Sequence, residues 1–428
     1  MTRTPDSRTT ATRAAVPPVP AWRAATRRPS RLARHARRGL PLLVAALAGA
    51  TACTRVREGV RAAVDGPASP HERYAASLRD AGLATTALGR EWLAAADTVL
   101  GAAHAVALPH REAGAYVRDE ARAAGWRVAL REGERLVARV VVRGEPGRVF
   151  VDAFEVEGDS VPRFRHRASA VADSSGDTLV LRLEADRTAP HVIRLQPELL
   201  RRGRYELELR AEPTLAFPVP AVGPAAVQSF WGAARDAGAR RHEGIDIFAP
   251  RGTPVVAVAD GTVRSTAPNR LGGLVVWLAD DGRAQALYYA HLDTVLVREG
   301  MRVRTGDTLG RVGNTGNAAS TRPHLHFGIY RAARGPVDPW PFVRPVREAA
   351  ARVTADTALL GAWGVARVAG TLRAGPATAA AVTARVAARD TLRIVGAAGR
   401  WYRVQRGDGT AGFTDVAVTR LAMPTAVR

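Results

Sequence analysis

Four of the ten histidines lie between residues 242 and 326, in settings where they could bind a metal ion or move protons. His242 is followed by Asp246 four residues later, and Gly244 between them allows a tight approach. Two further histidines, His324 and His326, are separated by a single residue. Two neutral imidazoles and one carboxylate suit Zn²⁺, and a catalytic zinc site has three protein ligands and an open position for water. Such a centre would polarise a carbonyl and lower the pKa of bound water.

Short β-strands with tight turns are the elements that must position these side chains. In a strand, the spacing of two places the imidazoles of His324 and His326 on one face and directs Leu325 and Phe327 into the core. Glycines around this segment supply the positive φ angles that tight turns of a small, twisted β-structure need. The loop 313–317 is expected to border the cleft, and a simple turn is its alternative interpretation.

Three motifs resemble those of one known family. Residues 228–342 resemble the catalytic domain of lysostaphin-like, or LytM-type, zinc metallopeptidases, which cut peptide cross-links in bacterial peptidoglycan. The matching motifs are the H-x-G-x-D element at 242–246, the Tyr-x-His element at 289–291 and the segment Pro-His-Leu-His-Phe at 323–327. The resemblance implies a small β-barrel or sheet of the duplicated hybrid motif type and a substrate among the peptides of peptidoglycan.

The resemblance also implies a role for each site residue. His242, Asp246 and His326 would be the zinc ligands, and His291 and His324 would be the unligated catalytic pair. In the family this pair orients and deprotonates the metal-bound water and stabilises the developing oxyanion. Which histidine does which is left open by the sequence.

Three alternatives to an active peptidase compete with this interpretation. All four histidines could be structural, as a single strand histidine usually is. The domain could bind the wall without cutting it and activate other cell-wall hydrolases, as family members that have lost ligands do, or it could be autoinhibited. A phosphocarrier of sugar transport has a related barrel and a reactive histidine, but such a protein does not need a carboxylate at Asp246.

The N-terminal region predicts export. Arg37 and Arg38 precede an apolar run at 39–50 that is too short to span a bilayer and ends in small residues before Cys53. The ending Ala-Thr-Ala-Cys resembles the lipobox of bacterial lipoproteins, which implies that Cys53 is lipidated and becomes the new N-terminus. We therefore expect a lipid-anchored protein of the cell envelope or periplasm, at an outer membrane where the organism has one. The alternative is an incidental cysteine.

Composition narrows the classes of partner. The 62 basic residues are all arginine, and they outnumber the 40 acidic residues, for a net charge of +22. This excess could favour an anionic surface, although biased codon usage explains the same count. No arginine cluster is interleaved with stacking aromatics, so nucleic acid is not an expected partner. A single cysteine excludes a disulfide framework and a cysteine zinc site.

The patterning predicts a mainly β chain with several domains. After the signal at 1–52 and a tether at 53–70, a helical segment is expected at 71–104. A β-sandwich accessory domain and linker would occupy 105–222, ahead of the metallopeptidase domain at 223–345.

Residues 346–428 resemble a bacterial Src-homology-3-like β-barrel, a module that commonly accompanies wall hydrolases and holds wall peptides. Trp401 and Tyr402 of this segment are equally compatible with a core or a ligand-facing position.

In the accessory domain, the strands expected in the β-sandwich lie at 136–142, 149–154, 179–183 and 204–209.

Overall fold

The structure is a computed structural model that describes residues 68–416 and 421–422, except 159, 173–177 and 347. The predicted export signal and Cys53 lie outside the described residues. Within the described part, no helix has the length and apolar character needed to cross a membrane.

Among the residues that the structure describes, two helices precede the strands: α1 (Pro70–Asp80) and α2 (Ala87–Gly101). Helix α1 begins with a capping box, because the Ser69 hydroxyl accepts from the Glu72 backbone and the Glu72 carboxylate accepts from the Ser69 N–H. The apolar side chains of Tyr74 and Trp92 pack on Phe150 of the following domain. The helical pair is therefore part of the accessory domain's core.

In its described part, the accessory domain contains nine strands: β1 (His104–Ala105), β2 (His110–Tyr116), β3 (Ala124–Leu130), β4 (Glu134–Gly144), β5 (Val149–Glu157), β6 (Arg163–Ala172), β7 (Thr178–Glu184), β8 (Ala189–Pro197) and β9 (Gly203–Pro213). One sheet has the order β1-β3-β8-β5-β6, and β2-β9-β4-β7 are consecutive in a second sheet. Trp126, Leu136, Ile193 and Leu207 belong to the core shared by both sheets. The four predicted strands lie within β4, β5, β7 and β9.

The next domain contains β10 (Val227–Ser229), β11 (Ala234–Arg235), β12 (Arg240–Arg241), β13 (Ile245–Phe248), β14 (Pro254–Val256), β15 (Gly261–Ser265), β16 (Leu274–Asp280), β17 (Gln285–Val295), β18 (Arg302–Val303), β19 (Thr308–Val312), β20 (His324–Arg331), β21 (Gly335–Val337) and the short helix α3 (Trp340–Val343). Its antiparallel sheet has the order β10-β13-β20-β17-β16-β15-β18, and β19 joins β14 to β17. The described residues show no closed barrel, so the domain is a sheet. Tyr289, Leu325 and Phe327 lie in its core.

The C-terminal domain contains β22 (Trp363–Ala366), β23 (Gly370–Arg373), β24 (Val382–Val386), β25 (Thr391–Ala398), β26 (Trp401–Gln405), β27 (Ala411–Asp415) and β28 (Leu421–Ala422). Trp401 and Tyr402 are buried, which places both in the core. Short 3-10 turns occur at Leu83–Thr85, Pro224–Ala226, Asp236–Gly238, Gly316–Ala318 and Thr357–Leu359. The expectation of a mainly β chain is confirmed.

One sheet runs through both the accessory and the C-terminal domain, because β2 pairs with β25. Its path is β24-β23-β27-β26-β25-β2-β9-β4-β7. At the junction the buried carboxylate of Glu112 lies 2.8 Å from the Arg403 guanidinium and accepts from the Trp126 indole. Arg403 also donates to the Tyr205 hydroxyl. Burial alone would raise the pKa of Glu112, but Arg403 and the neighbouring donors outweigh it and lower the pKa to about 2.

Ion pairs connect the accessory domain to the sheet of β10–β21. Arg283 donates to both carboxylate oxygens of Glu184, and Glu132 pairs with Arg331 and Arg334. Arg331 ends β20, whereas His326 lies near the start of the same strand. Five residues of extended chain span about 17 Å. These contacts are therefore distant from the histidine cluster.

Candidate metal centre

His242, Asp246 and His326 meet with one ligand atom each. The Nε2 atom of His242, the Oδ1 atom of Asp246 and the Nδ1 atom of His326 are mutually 3.0 Å apart. Asp246 and His326 are directly opposite each other in the β13–β20 register, and His242 lies three residues before β13. The strand pairing therefore assembles the carboxylate and one imidazole, and the approach to β13 supplies the second.

The glycine of the H-x-G-x-D element is required by this close assembly. A Cβ atom on Gly244 would lie 2.5 Å from the Phe327 carbonyl oxygen and 2.7–2.8 Å from the His326 ring. Contacts below 3.0 Å force a neighbour to move, and here one neighbour is backbone and the other is a metal-ligand candidate. The glycine thus lets the chain pass directly over the His326 imidazole.

The donor set fits zinc. Tetrahedral ligands about 2.0–2.1 Å from the ion lie about 3.3 Å from one another, close to the observed separations. Burial would raise the pKa of Asp246, but hydrogen bonds with His242 and His326 outweigh it and hold the pKa far below the usual carboxyl range. Burial lowers the pKa of His326. Asp246 and His326 therefore favour the protonation states that bind a cation.

Hydrogen-bond partners orient two of the three ligand candidates. The Nδ1 atom of His242 donates to the Phe230 carbonyl at 3.0 Å, which leaves the Nε2 lone pair directed at the other two ligands. Asp246 uses Oδ2 to accept from Arg235 at 2.6 Å, which leaves Oδ1 in the centre. His242 and Asp246 thus each have a partner behind them that fixes the direction of the donor atom.

His291 and His324 lie beside the three ligands. Their ring centroids are 5.0 Å apart, and the His291 ring is 5.9 Å from that of His326. Nδ1 of His291 donates to the Thr315 carbonyl and Nδ1 of His324 to the Arg322 carbonyl, so both Nε2 atoms are free to accept a proton. Burial, together with repulsion from His326 and His324, lowers the pKa of His291 to about 4. His291 is therefore a neutral base at pH 7.

The loop 313–317 holds one member of this pair. Thr315 supplies the carbonyl that accepts from His291, and its hydroxyl accepts from the Leu274 N–H at 2.9 Å. Gly273 and Gly316 touch at the loop base, where a Cβ on Gly316 would lie 2.4 Å from the Gly273 nitrogen. The loop is thus more than a simple turn, because it sets the orientation of the His291 ring.

The structure brings together all five residues singled out in this region by the sequence. It adds Arg235 and Ser229, which the sequence did not indicate, because arginine is abundant in this chain and neither residue occurs in a recognisable motif. It also adds aromatic rings on the same sheet: Tyr288 lies 5.9 Å from His326 and 4.3 Å from Trp277. Alternation along β16 and β17 could have placed these two rings on one face.

Two segments of the chain match known domain families. Residues 240–339 match Peptidase family M23, and residues 368–415 match the bacterial SH3 domain. The first match contains all five site residues of this centre. Together the two matches bear out the family and the C-terminal module that the sequence motifs indicated.

Curated relatives and a solved structure resemble the M23 segment. The L-Ala–D-Glu endopeptidase of Bacillus subtilis (strain 168) is 36% identical over 140 residues, which are 30% of this chain and 43% of that protein. The peptidoglycan DD-endopeptidase ShyC of Vibrio cholerae is 39% identical over 100 residues, 22% of each chain. The catalytic domain of lysostaphin from Staphylococcus simulans is 30% identical, with 26% of this chain and 87% of that one covered and a TM-score of 0.24. The chain spans less than half the length of these two curated relatives.

Proposed function

Because this chain carries a domain of peptidase family M23, a family of zinc metallopeptidases, we propose that it is a zinc-dependent endopeptidase that hydrolyses peptide bonds in peptidoglycan. The observation that carries the proposal is the convergence of His242, Asp246 and His326 beside two further histidine rings, those of His291 and His324. Peptide hydrolysis needs an electrophile for the carbonyl and groups that move protons, and this arrangement offers both.

The chain's own residues divide this work. His242, Asp246 and His326 would hold Zn²⁺, which when bound supplies a Lewis acid that polarises the scissile carbonyl and acidifies water. The two free imidazoles, His291 and His324, would accept the proton of the attacking water, return it to the leaving amine and stabilise the oxyanion. Positioned acid–base groups of this kind contribute about 10²–10⁴-fold.

Stem peptides or cross-bridges of peptidoglycan are the proposed substrate. The relatives named above cut two different bonds by name, an L-Ala–D-Glu bond and a DD bond, so both are candidates here. The bacterial SH3 match supports a wall-binding role for the C-terminal domain. Mass analysis of released fragments would identify the bond.

We propose further that the protein is exported and held at the envelope by a lipid on Cys53. The support is the basic region, the short apolar run and the small residues before this cysteine. Mass spectrometry of the mature N-terminus tests the proposal. A diacylated or triacylated Cys53 is expected, and an unmodified start at another residue would contradict it.

Digestion of purified peptidoglycan tests the enzymatic proposal. We expect new peptide ends that disappear with a chelator and return with zinc. A wild-type protein that binds zinc and releases no fragments would instead indicate the alternative, an autoinhibited or non-catalytic activator of other wall hydrolases. Adding such a hydrolase to the same digestion would then reveal the activation.

A further inference from the structure

A short hairpin brings an arginine to the proposed metal centre. Arg235 lies on β11, which pairs with β12 immediately before His242. Its Nη2 atom donates to Oδ2 of Asp246 and to the hydroxyl of Ser229, each at 2.6 Å. The arginine side chain is 32% exposed, so the ion pair lies at the border between the buried centre and solvent.

Ser229 connects the arginine to a second ligand. Ser229 on β10 is in register with Asp246 on β13, and its hydroxyl lies 3.3 Å from Nδ1 of His242. The arginine, the serine and two of the three ligands thus form one hydrogen-bonded group. If the guanidinium moved away, Oδ2 of Asp246 and the hydroxyl of Ser229 would both lose their hydrogen bond from Arg235.

The hairpin does not need this ion pair for its own formation. Backbone bonds already close its base, from Gly232 N–H to the His242 carbonyl and from His242 N–H to the Ala233 carbonyl. Arg235 is moreover directly opposite Arg240 in the β11–β12 register, and like charges at paired positions disfavour a hairpin. The role of Arg235 is therefore its contact with Asp246 and not the stabilisation of the hairpin.

We propose that Arg235 is a positioning residue of the metal centre, which holds the Asp246 carboxylate so that Oδ1 alone is presented to the ion. This inference rests on the proposed zinc-dependent function. A free carboxylate can bind a cation through one oxygen or both, and a charge-assisted hydrogen bond to one oxygen removes that choice. Removal of a partner behind a metal ligand typically weakens metal binding about 10–100-fold.

Three variants of the full chain test the role. Arg235→Gln removes the charge, Arg235→Lys keeps it without the planar fork, and Arg241→Gln is the matched control because it removes an exposed arginine from the same hairpin. Zinc affinity is measured by competition with a chromophoric chelator, the ligand geometry by the visible absorption of the Co²⁺-loaded protein, and the fold by thermal unfolding without metal.

We expect the Kd for zinc to rise about 10–100-fold in Arg235→Gln, with an altered cobalt spectrum and an unchanged metal-free Tm. Arg235→Lys should recover part of the affinity, and Arg241→Gln should match wild type. If Arg235→Gln fails to fold, a lowered affinity of Arg235→Lys at unchanged metal-free Tm supports the role.

Two outcomes separate this inference from the function on which it rests. A wild-type protein that binds zinc, with Arg235→Gln equal to it in affinity and cobalt spectrum, overturns the role of Arg235 alone. A wild-type protein that binds no zinc overturns the proposed function itself.

Discussion

His291 has a backbone conformation that few residues other than glycine adopt, with φ at 62°. Its N–H donates to the Gly272 carbonyl at 2.7 Å, and its ring donates to the Thr315 carbonyl at 2.9 Å. A left-handed residue with a side chain costs free energy and persists where its surroundings enforce it, often at functional sites. Two loops therefore fix this imidazole before any substrate arrives.

Replacing His324 with alanine should abolish cleavage and leave zinc binding intact. The three ligand candidates contact one another without His324, whereas His324 contributes an Nε2 atom free for proton transfer. We expect turnover to fall about 10²–10⁴-fold in peptidoglycan digestion. Zinc content by metal analysis should remain one per chain. His166→Ala, a partly exposed histidine of the accessory domain, is the control, and wild-type turnover in His324→Ala would contradict the role.

Replacing Asp246 with alanine should remove zinc. Asp246 supplies the one negative charge among the three ligand candidates, and its loss leaves two neutral imidazoles facing the ion. Metal analysis after dialysis should show less than stoichiometric zinc, and cleavage should be lost with it. Asp281→Ala removes an exposed carboxylate from the same domain and should retain both. Full zinc retention in Asp246→Ala would show that the ligand set is different.

The sequence motifs predicted most residues of the candidate site, but not the contacts that support them. The sequence motifs named all five histidine and aspartate residues that the structure brings together. They did not identify Arg235, because its contact with Asp246 on β13 depends on the β11–β12 hairpin that positions it. Nor could they identify the φ angle of His291, which follows from loops that precede and follow it in the chain.

At the level of elements, the spacing of two in β20 was informative. Leu325 and Phe327 are fully buried, and His324 and His326 face the centre, as predicted. The prediction did not list β1, β2, β3, β6 or β8. For β6 the reason is that its Arg163–Ala172 sequence is rich in arginine and half-exposed, and so lacks a clean alternation. Alternation of apolar and polar residues indicates that one face of a strand is buried. An edge strand such as β6 buries less of its surface, so the alternation is weak.

Helix α1 brings a histidine into an aromatic cluster on the accessory domain. His71 stacks on Trp92 at 4.6 Å and its Nε2 donates to Gln196 at 2.7 Å. Burial, with a smaller contribution from the positive charge of Arg194, lowers the pKa of His71 to about 4. The ring is therefore neutral in the folded protein at pH values where the unfolded chain is protonated.

The protein should lose stability as the pH falls from 6.5 to 4. In this window the unfolded chain binds a proton at His71 and the folded protein does not, so the free energy of unfolding decreases with falling pH, by about 3 kcal/mol from this residue. Urea unfolding across the pH range measures it. His71→Phe should flatten the slope. An equal slope in wild type and His71→Phe would contradict the assignment.

At the scale of the whole molecule, the accessory and C-terminal domains share one sheet and one buried ion pair. Replacing Arg403 with methionine leaves the fully buried carboxylate of Glu112 without its principal partner. Breaking a buried pair from one side costs about 3–5 kcal/mol. We expect a correspondingly lower midpoint of urea unfolding for Arg403→Met.

Two further variants qualify that result. Adding Glu112→Gln to Arg403→Met should restore part of the stability, because the uncompensated charge is gone. Arg400→Met is the matched control: its ion pair with Asp415 is exposed on the arginine side, and its loss should cost less than about 1 kcal/mol. Equal midpoints for Arg403→Met and Arg400→Met would show that the buried pair does not hold the domains together.

The junction of the accessory and C-terminal domains could not be predicted from the sequence. Strand β25 was expected to belong to a separate small barrel, and nothing local to Ala113 or Ala397 indicates that they are partners. Pairing between distant strands depends on which edges remain open after each domain has folded. Local patterns predicted four strands of the accessory domain and a β-rich C-terminal module, whereas the connection between the two domains arises only in the folded chain.

The pairing of β2 with β25 has a consequence for how this protein is made. Glu112 and Arg403 are 291 residues apart in the chain, so the shared sheet cannot be completed until the segment that contains β25 and β26 has been synthesised. Contacts of such long range form slowly and leave strand edges open to wrong partners in the meantime. Newly made chains should therefore depend on protection by chaperones until β25 is available to pair with β2, and chains truncated before β25 should be degraded.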